Sequence, residues 1–296
     1  LRPHDAAGRA QHGFGRTSPS PGSHEFGPRQ SVACGLAFLL RKWSFQNDVN
    51  ADVSNILNAR KLSAIGIPLT AFLTTFSAFD FYMSLSYHWF STMFGVWHFA
   101  LAMRLSLATA VITCFILSTR GYLKGIYNQH HQYLLGCLCL AFTVFWAYIS
   151  FSQYFLIYNA NIPEETFWYN IRELAIDGGK NQWWWVSMGL VFGFFLAPFL
   201  TLLFYRVKVI PAALVAVCGW ILAFGLLDLY FNIIPTQVHA PESPTGYAST
   251  PFITGYMLYD LAAIIGVGGI VIAAVLRSMS KAEPIPIHAP RINQSI

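Results

Sequence analysis

The chain has 296 residues, of which 55% are hydrophobic and only 10% are Asp, Glu, Lys or Arg, whereas a soluble domain carries roughly 25% charged residues. So few charges cannot cover a water-facing surface, and the mean hydropathy of +0.48 excludes an ordinary soluble domain. The formal charge of +5 does not indicate nucleic acid, because the basic residues stand in pairs between apolar runs instead of forming a stripe interleaved with stacking aromatics.

Residues 1–32 are rich in Gly, Pro, Ser, Arg and His and carry neither helical nor strand periodicity. They are expected to be disordered or non-native, and no apolar h-region near their start indicates a cleavable signal. Residues 33–62 read as a cytoplasmic or interfacial segment. Its apolar stretch Ser31–Leu40 has about half the length that a ~30 Å hydrocarbon core requires, so it is either the end of a further span or an interfacial segment.

Six apolar runs of spanning length follow, near 63–84, 92–117, 134–157, 183–205, 209–231 and 254–276. The expected fold is an all-α, polytopic transmembrane bundle over 63–276 with a cytoplasmic tail at 277–296. Eleven Lys and Arg flank one side of these spans, among them Arg41, Lys42, Arg60, Lys61, Arg206 and Lys208; the other side carries Arg172 and Lys180 with Glu164, Glu165, Glu173 and Asp177. The cation bias places both termini in the cytoplasm. The connections Asn159–Gln182 and Asn232–Ile253 then face outward, with Trp168, Tyr169, Trp183 and Trp184 as an interfacial belt.

Ionisable residues inside a span are costly and face a bundle interior, a cavity or a proton path. Here they are Asp80 in the first span, His98 and Arg104 in the second, Asp228 at the end of the fifth and Asp260 at the start of the sixth. Ser150, Ser152 and Gln153 in the third span lie at a similar level, so a polar layer is expected toward the outer face. Asp80 and Asp228 are also close enough to helix ends to sit among headgroups, and His98 could simply bond a neighbouring helix. Arg104 falls near the midplane and requires a carboxylate or several carbonyls as partners.

Other features carry less. Pro68, Pro198 and Pro211 are tolerated in spans, Gly266, Gly268 and Gly269 favour close packing, and His130 and His131 read as solvated loop residues. The five cysteines form neither CxxC nor CxxCH, so nothing signals a zinc site or covalently bound haem.

Two stretches carry a resemblance. Residues 79–95 read FDFYMSLSYHWFSTMFG, and residues 145–157 read FWAYISFSQYFLI, followed at 159–166 by NANIPEET. Together with Arg41-Lys42-Trp43-Ser44 they resemble the ActF-type subunits of bacterial alternative complex III, a quinol:cytochrome c oxidoreductase, within the NrfD- and PsrC-like membrane subunits. The resemblance covers about residues 41–280. It implies a multi-pass subunit of the bacterial cytoplasmic membrane with no cofactor of its own, embedded in lipid beside a homologous ActC-like subunit. Haem c and iron–sulfur clusters would belong to partner subunits, and quinol would be the substrate of the complex. By position in the matching runs it carries over Asp80, His88, Ser150, Gln153, Glu164 and Glu165 as candidate functional residues; Arg104, Asp228 and Asp260 rest on the membrane argument alone. Members of that family have about ten helices, so six spans suggest that N-terminal helices are missing or encoded elsewhere.

The expected role is support of assembly and an outward proton path, with Asp80 as first choice of carrier, His98 and Asp260 as relays, and Arg104 tuning a neighbouring carboxylate. A quinone-binding redox subunit is one alternative. A secondary transporter is another, although the inverted repeats it would show are not visible.

Overall fold

A computed structural model describes residues 26–50, 53–86, 88–123, 126–175, 177–239, 247–252 and 257–280. The reading of residues 1–25 as irregular, the cations Lys124, Lys281 and Arg291, and most of the C-terminal tail lie outside the described residues.

The elements run in chain order as α1 (Phe26–Asn50), α2 (Val53–Phe81), a 3₁₀ turn (Met83–Ser86), α3 (Thr92–Thr119), α4 (Gln129–Ala160) and α5 (Pro163–Glu173). Then come α6 (Gln182–Gly189), a π-helical segment (Leu190–Leu196), α7 (Ala197–Leu203), α8 (Tyr205–Val209) and α9 (Pro211–Ile233). A two-stranded antiparallel ribbon, β1 (Gln237–His239) with β2 (Tyr247–Ser249), precedes α10 (Met257–Met279). Among the described residues, six helices are long and apolar enough to cross a membrane: Val53–Ser86, Thr92–Thr119, Gln129–Ala160, Gln182–Leu203, Pro211–Ile233 and Leu258–Met279. The chain is thus an all-α, polytopic membrane protein, as composition and run length predict. The end of the bundle that carries α5 and the ribbon is called the acidic end below; the opposite end, with Arg41, Arg60 and Lys208, is the basic end.

Local chemistry fixes the helix boundaries. Asn128 caps α4 by accepting from the backbone N–H of His130 at 3.0 Å and of His131 at 3.2 Å. Asn161 ends the same helix in the left-handed region at φ 50°, a conformation Asn tolerates better than most residues. Helix α5 opens on Pro163 with Glu164 and Glu165 in its first turn and closes with Arg172 in its last. That charge order complements the helix dipole.

Helix α3 is the hub, packed against α2, α4 and α9. The core between them holds Trp97, Leu101, Trp146, Phe194, Leu202 and Ile221. Close helix approach depends on small residues. A Cβ at Gly95 of α3 would overlap the methyl of Thr75 and sit 3.1 Å from the Phe79 ring. Thr75 is β-branched and stiff in a helix, so Gly95→Ala is expected to cost about 1–3 kcal/mol through overpacking. At Gly225 of α9 the obstacle is the end of the flexible Leu105 side chain, and Gly225→Ala should cost less. Thermal unfolding of the two variants in detergent measures the difference.

Helix α1 begins at Phe26, inside the Gly- and Pro-rich stretch, and is joined to α2 by a two-residue connection. The two helices pack as an antiparallel hairpin, with Leu36 against Gly66. The Ser31–Leu40 stretch therefore runs alongside the first apolar turns of α2. Helix α10 differs from the other spans in having no buried residue in its apolar window.

Candidate functional site

The π-helical segment in the fourth span originates in one residue. Pro198 has no N–H, so the carbonyl of Phe194, four residues earlier, loses its normal helical donor. The N–H of Ala197 bonds instead to Phe192 O, one residue further back than in an α-helix, which strips Gly193 O of its donor too. Side chains from other helices take both oxygens. Trp220 Nε1 of α9 donates to Gly193 O at 2.7 Å, and Arg104 Nη2 of α3 donates to Phe194 O at 2.5 Å.

Arg104 is fully buried. Its guanidinium lies 3.9 Å from the centre of the Phe194 ring and 5.7 Å from that of Trp146. Trp146 in turn donates through Nε1 to Asp228 Oδ2 at 3.1 Å, and Asn232 Nδ2 donates to Asp228 Oδ1 at 3.2 Å. Asp228, 3% exposed, is within electrostatic reach of Arg104. The core thus holds a guanidinium, a carboxyl group and an indole that neighbours both.

Helix geometry explains how Arg104 and Asp228 come within electrostatic reach of each other. Arg104 lies about 18 Å along α3 from its acidic-end start, while Asp228 lies about 8 Å short of the acidic end of α9. Side chains lean toward the N-terminus of their helix. In α3 that direction is toward the acidic end, and in α9 it is toward the basic end, so the two side chains converge. The polar face of α4 supplies the bridge. Cys139, Thr143, Trp146, Ser150 and Gln153 recur at helical spacing, and Cys139, Thr143, Trp146 and Gln153 are buried.

A second buried arginine closes the acidic end. Arg172 of α5, 1% exposed, donates to Phe231 O at 3.2 Å, Trp168 O at 2.7 Å and Asn232 O at 3.0 Å. Phe231 and Asn232 are in the last turn of α9, whose carbonyls have no intrahelical donor, and a cation there is favoured by the helix dipole. The guanidinium also lies 3.5 Å from the Trp168 ring centre, and Trp168 stacks on Trp89 at 4.5 Å. Burial lowers the Arg172 guanidinium to about 9, so it remains charged at neutral pH. Asn232 touches both Asp228 and Arg172, which makes one connected chain of polar groups from mid-bundle to the acidic end.

Beside this chain, Gln153 Nε2 donates to Tyr169 Oη at 3.2 Å, and Tyr158 Oη donates to Glu173 Oε2 at 3.0 Å. Tyr154 packs between the two tyrosines. Burial pushes the Tyr169 phenol up, so it stays protonated. His98 packs against Tyr82 with ring centres 4.7 Å apart. Its Nδ1, Ser150 Oγ, Gln153 Oε1 and Arg104 Nε and Nη1 are buried and make no protein hydrogen bond.

Of the acids singled out in the sequence, Asp228 is the one that joins the Arg104 cluster. The headgroup location open to Asp228 in the sequence is replaced by full burial. Asp80 is half-buried near the end of α2, with its carbonyl bonded by Ser84 Oγ at 2.5 Å. About 29 Å of helix separates it from Lys61, which matches a hydrocarbon core and sets Asp80 at the acidic boundary. His88 is exposed in the turn after α2. Glu164 is exposed and Glu165 half-buried, both in the first turn of α5. Asp260 occupies the first turn of the exposed helix α10. Sequence reasoning missed Trp146, Asn232 and Arg172 as parts of the site. The spacing of Trp146 from Ser150 and Gln153 could have shown the first; nothing local marks the other two.

Among the described residues, no group of three or more His, Cys, Asp or Glu could hold a metal. No family model matches the chain, and no curated protein matches it significantly.

Proposed function

We propose that this polytopic membrane protein is a cofactor-free subunit of a respiratory quinol:cytochrome c oxidoreductase, or of one with another periplasmic acceptor, in the bacterial cytoplasmic membrane. Two features support the reading: the runs at 79–95 and 145–166 resemble ActF-type subunits, and a buried carboxylate is linked to the acidic end. A homologous ActC-like subunit packs beside it, and haem c and iron–sulfur clusters sit in the other partners.

The observation that carries the chemistry is Asp228, a carboxylate in the interior with donors from Trp146 and Asn232 and the fixed charge of Arg104 within electrostatic reach. Quinol oxidation releases protons, and a carboxylate that alternates between charged and neutral forms accepts and passes them. Asp228 takes the carrier role at depth, and Asp80 serves at the acidic boundary.

Asp228→Asn keeps the size and one of the two acceptor oxygens but removes the titration. In the assembled complex it is expected to lower quinol-driven proton release and turnover tenfold or more, with haem content unchanged, whereas Asp80→Asn lowers them less. Wild-type rates and stoichiometry in Asp228→Asn would remove Asp228 from proton transfer.

A further inference from the structure

The basic end carries a feature that the proton reading does not use. In the α1–α2 hairpin, Leu36 faces Gly66. Stepping along the antiparallel pair from that contact sets Arg41 level with Lys61 and Lys42 level with Arg60. These four cations form one tier about 29 Å from Asp80, the tier where the hydrocarbon core ends and headgroups begin.

One face of α1 crosses that tier as a shallow recess of about 570 Å³ lined by Phe38, Arg41, Lys42, Phe45, Gln46 and Asn50. These residues are exposed. Their order along the helix is chemical as well as spatial. Phe38 lies on the hydrocarbon side of the cations, and Gln46 and Asn50 lie on the aqueous side. Arg41 stacks over the Phe45 ring at 5.3 Å, which holds its guanidinium at the recess.

We infer that this recess binds an anionic phospholipid of the leaflet at the basic end. The phosphate pairs with Arg41 and Lys42, an acyl chain runs along Phe38, and headgroup hydroxyls meet the amides of Gln46 and Asn50. The occupant follows from charge and polarity together. A free anion would leave the Phe38 side unused, a zwitterionic lipid would bring its own cation to two cations, and a soluble acidic peptide could not occupy the hydrocarbon side. Juxtamembrane cations of this kind contribute about 1 kcal/mol each toward anionic lipid.

The test uses the full chain in phosphatidylcholine nanodiscs doped with phosphatidylglycerol, with retained lipid counted by native mass spectrometry. Wild type is expected to retain phosphatidylglycerol over phosphatidylcholine. Arg41→Gln/Lys42→Gln should bind it about thirtyfold more weakly and Lys42→Gln alone about fivefold. Arg206→Gln, at the same end of the bundle, should bind as wild type does. The inference is overturned by equal retention of the two lipids, by wild-type retention in the double variant, by an equal loss in Arg206→Gln, or by displacement of the lipid with inorganic phosphate.

Discussion

Arg104→Leu is expected to destabilise the protein by about 1–3 kcal/mol, the cost of leaving a buried carbonyl without its donor. The cation is fully buried against Phe194 and Trp146, and its loss strands two groups. Phe194 O has no helical donor because of Pro198, and Asp228 keeps only the neutral donors of Trp146 and Asn232. Asp228→Leu alone removes the carboxyl group within electrostatic reach of Arg104, which keeps its hydrogen bond to Phe194 O, and is also destabilising. Arg104→Leu/Asp228→Leu removes both charges at once, so its loss should be smaller than the sum of the single losses, with a coupling of about 1–3 kcal/mol. Unfolding of the four proteins in detergent measures that cycle. Strict additivity would mean that the two charges do not act as a pair.

The second large effect is at the acidic end. Arg172→Ala should leave Phe231 O and Asn232 O, in the last turn of α9, without their side-chain donor, each buried unsatisfied group costing about 1–3 kcal/mol. It also removes the cation from the end of the α9 dipole and from the stack on Trp168. Helix α5 is short, and Arg172 ties it to α9 by two of its three hydrogen bonds. The expected outcome is local detachment: amide hydrogen exchange over Pro163–Glu173 and the last turn of α9 accelerates tenfold or more, while α3 and the first half of α4 keep their protection. Arg172→Lys should recover part of the effect, since an ammonium cannot reproduce the planar fork that reaches several carbonyls. Unchanged exchange in Arg172→Ala would show that α5 is held by other contacts.

Much of the architecture was legible in the sequence, for a physical reason. A segment that crosses hydrocarbon must satisfy its own backbone and present apolar side chains over ~30 Å, and both demands are written locally, so all six spans agree with the runs read from composition. The boundary position of Asp80 follows from the same arithmetic. Arg104 was expected to need a carboxylate or several carbonyls; it bonds one carbonyl, Phe194 O, with Asp228 within electrostatic reach. Asp228 lies near a helix end, where a headgroup location is equally economical, and only the opposed lean of side chains on α3 and α9 brings it inward to Trp146.

Pro198 shows the limit most clearly. In sequence it is one proline in a span, where proline is tolerated. Its consequence is two carbonyls released in the π-helical segment, and their capture by Arg104 and Trp220 depends on helices about 90 and 27 residues away. Arg172 is a similar case, a charged residue in an outer connection that packing turns into a buried clamp. Asp260 is the converse: an acid within an apolar run, but on a helix that stays exposed.

The central claim, that the chain works as one subunit of an electron-transfer assembly, is tested most directly by isolating it from its native membranes through an affinity tag in a mild detergent. The haem absorption, the iron–sulfur signals and the quinol:cytochrome c turnover of the product are then measured. Haem and iron–sulfur partners in fixed ratio to the chain are expected, with turnover that depends on Asp228. A homogeneous preparation of this chain alone, without redox partners or quinol oxidation, would contradict that claim.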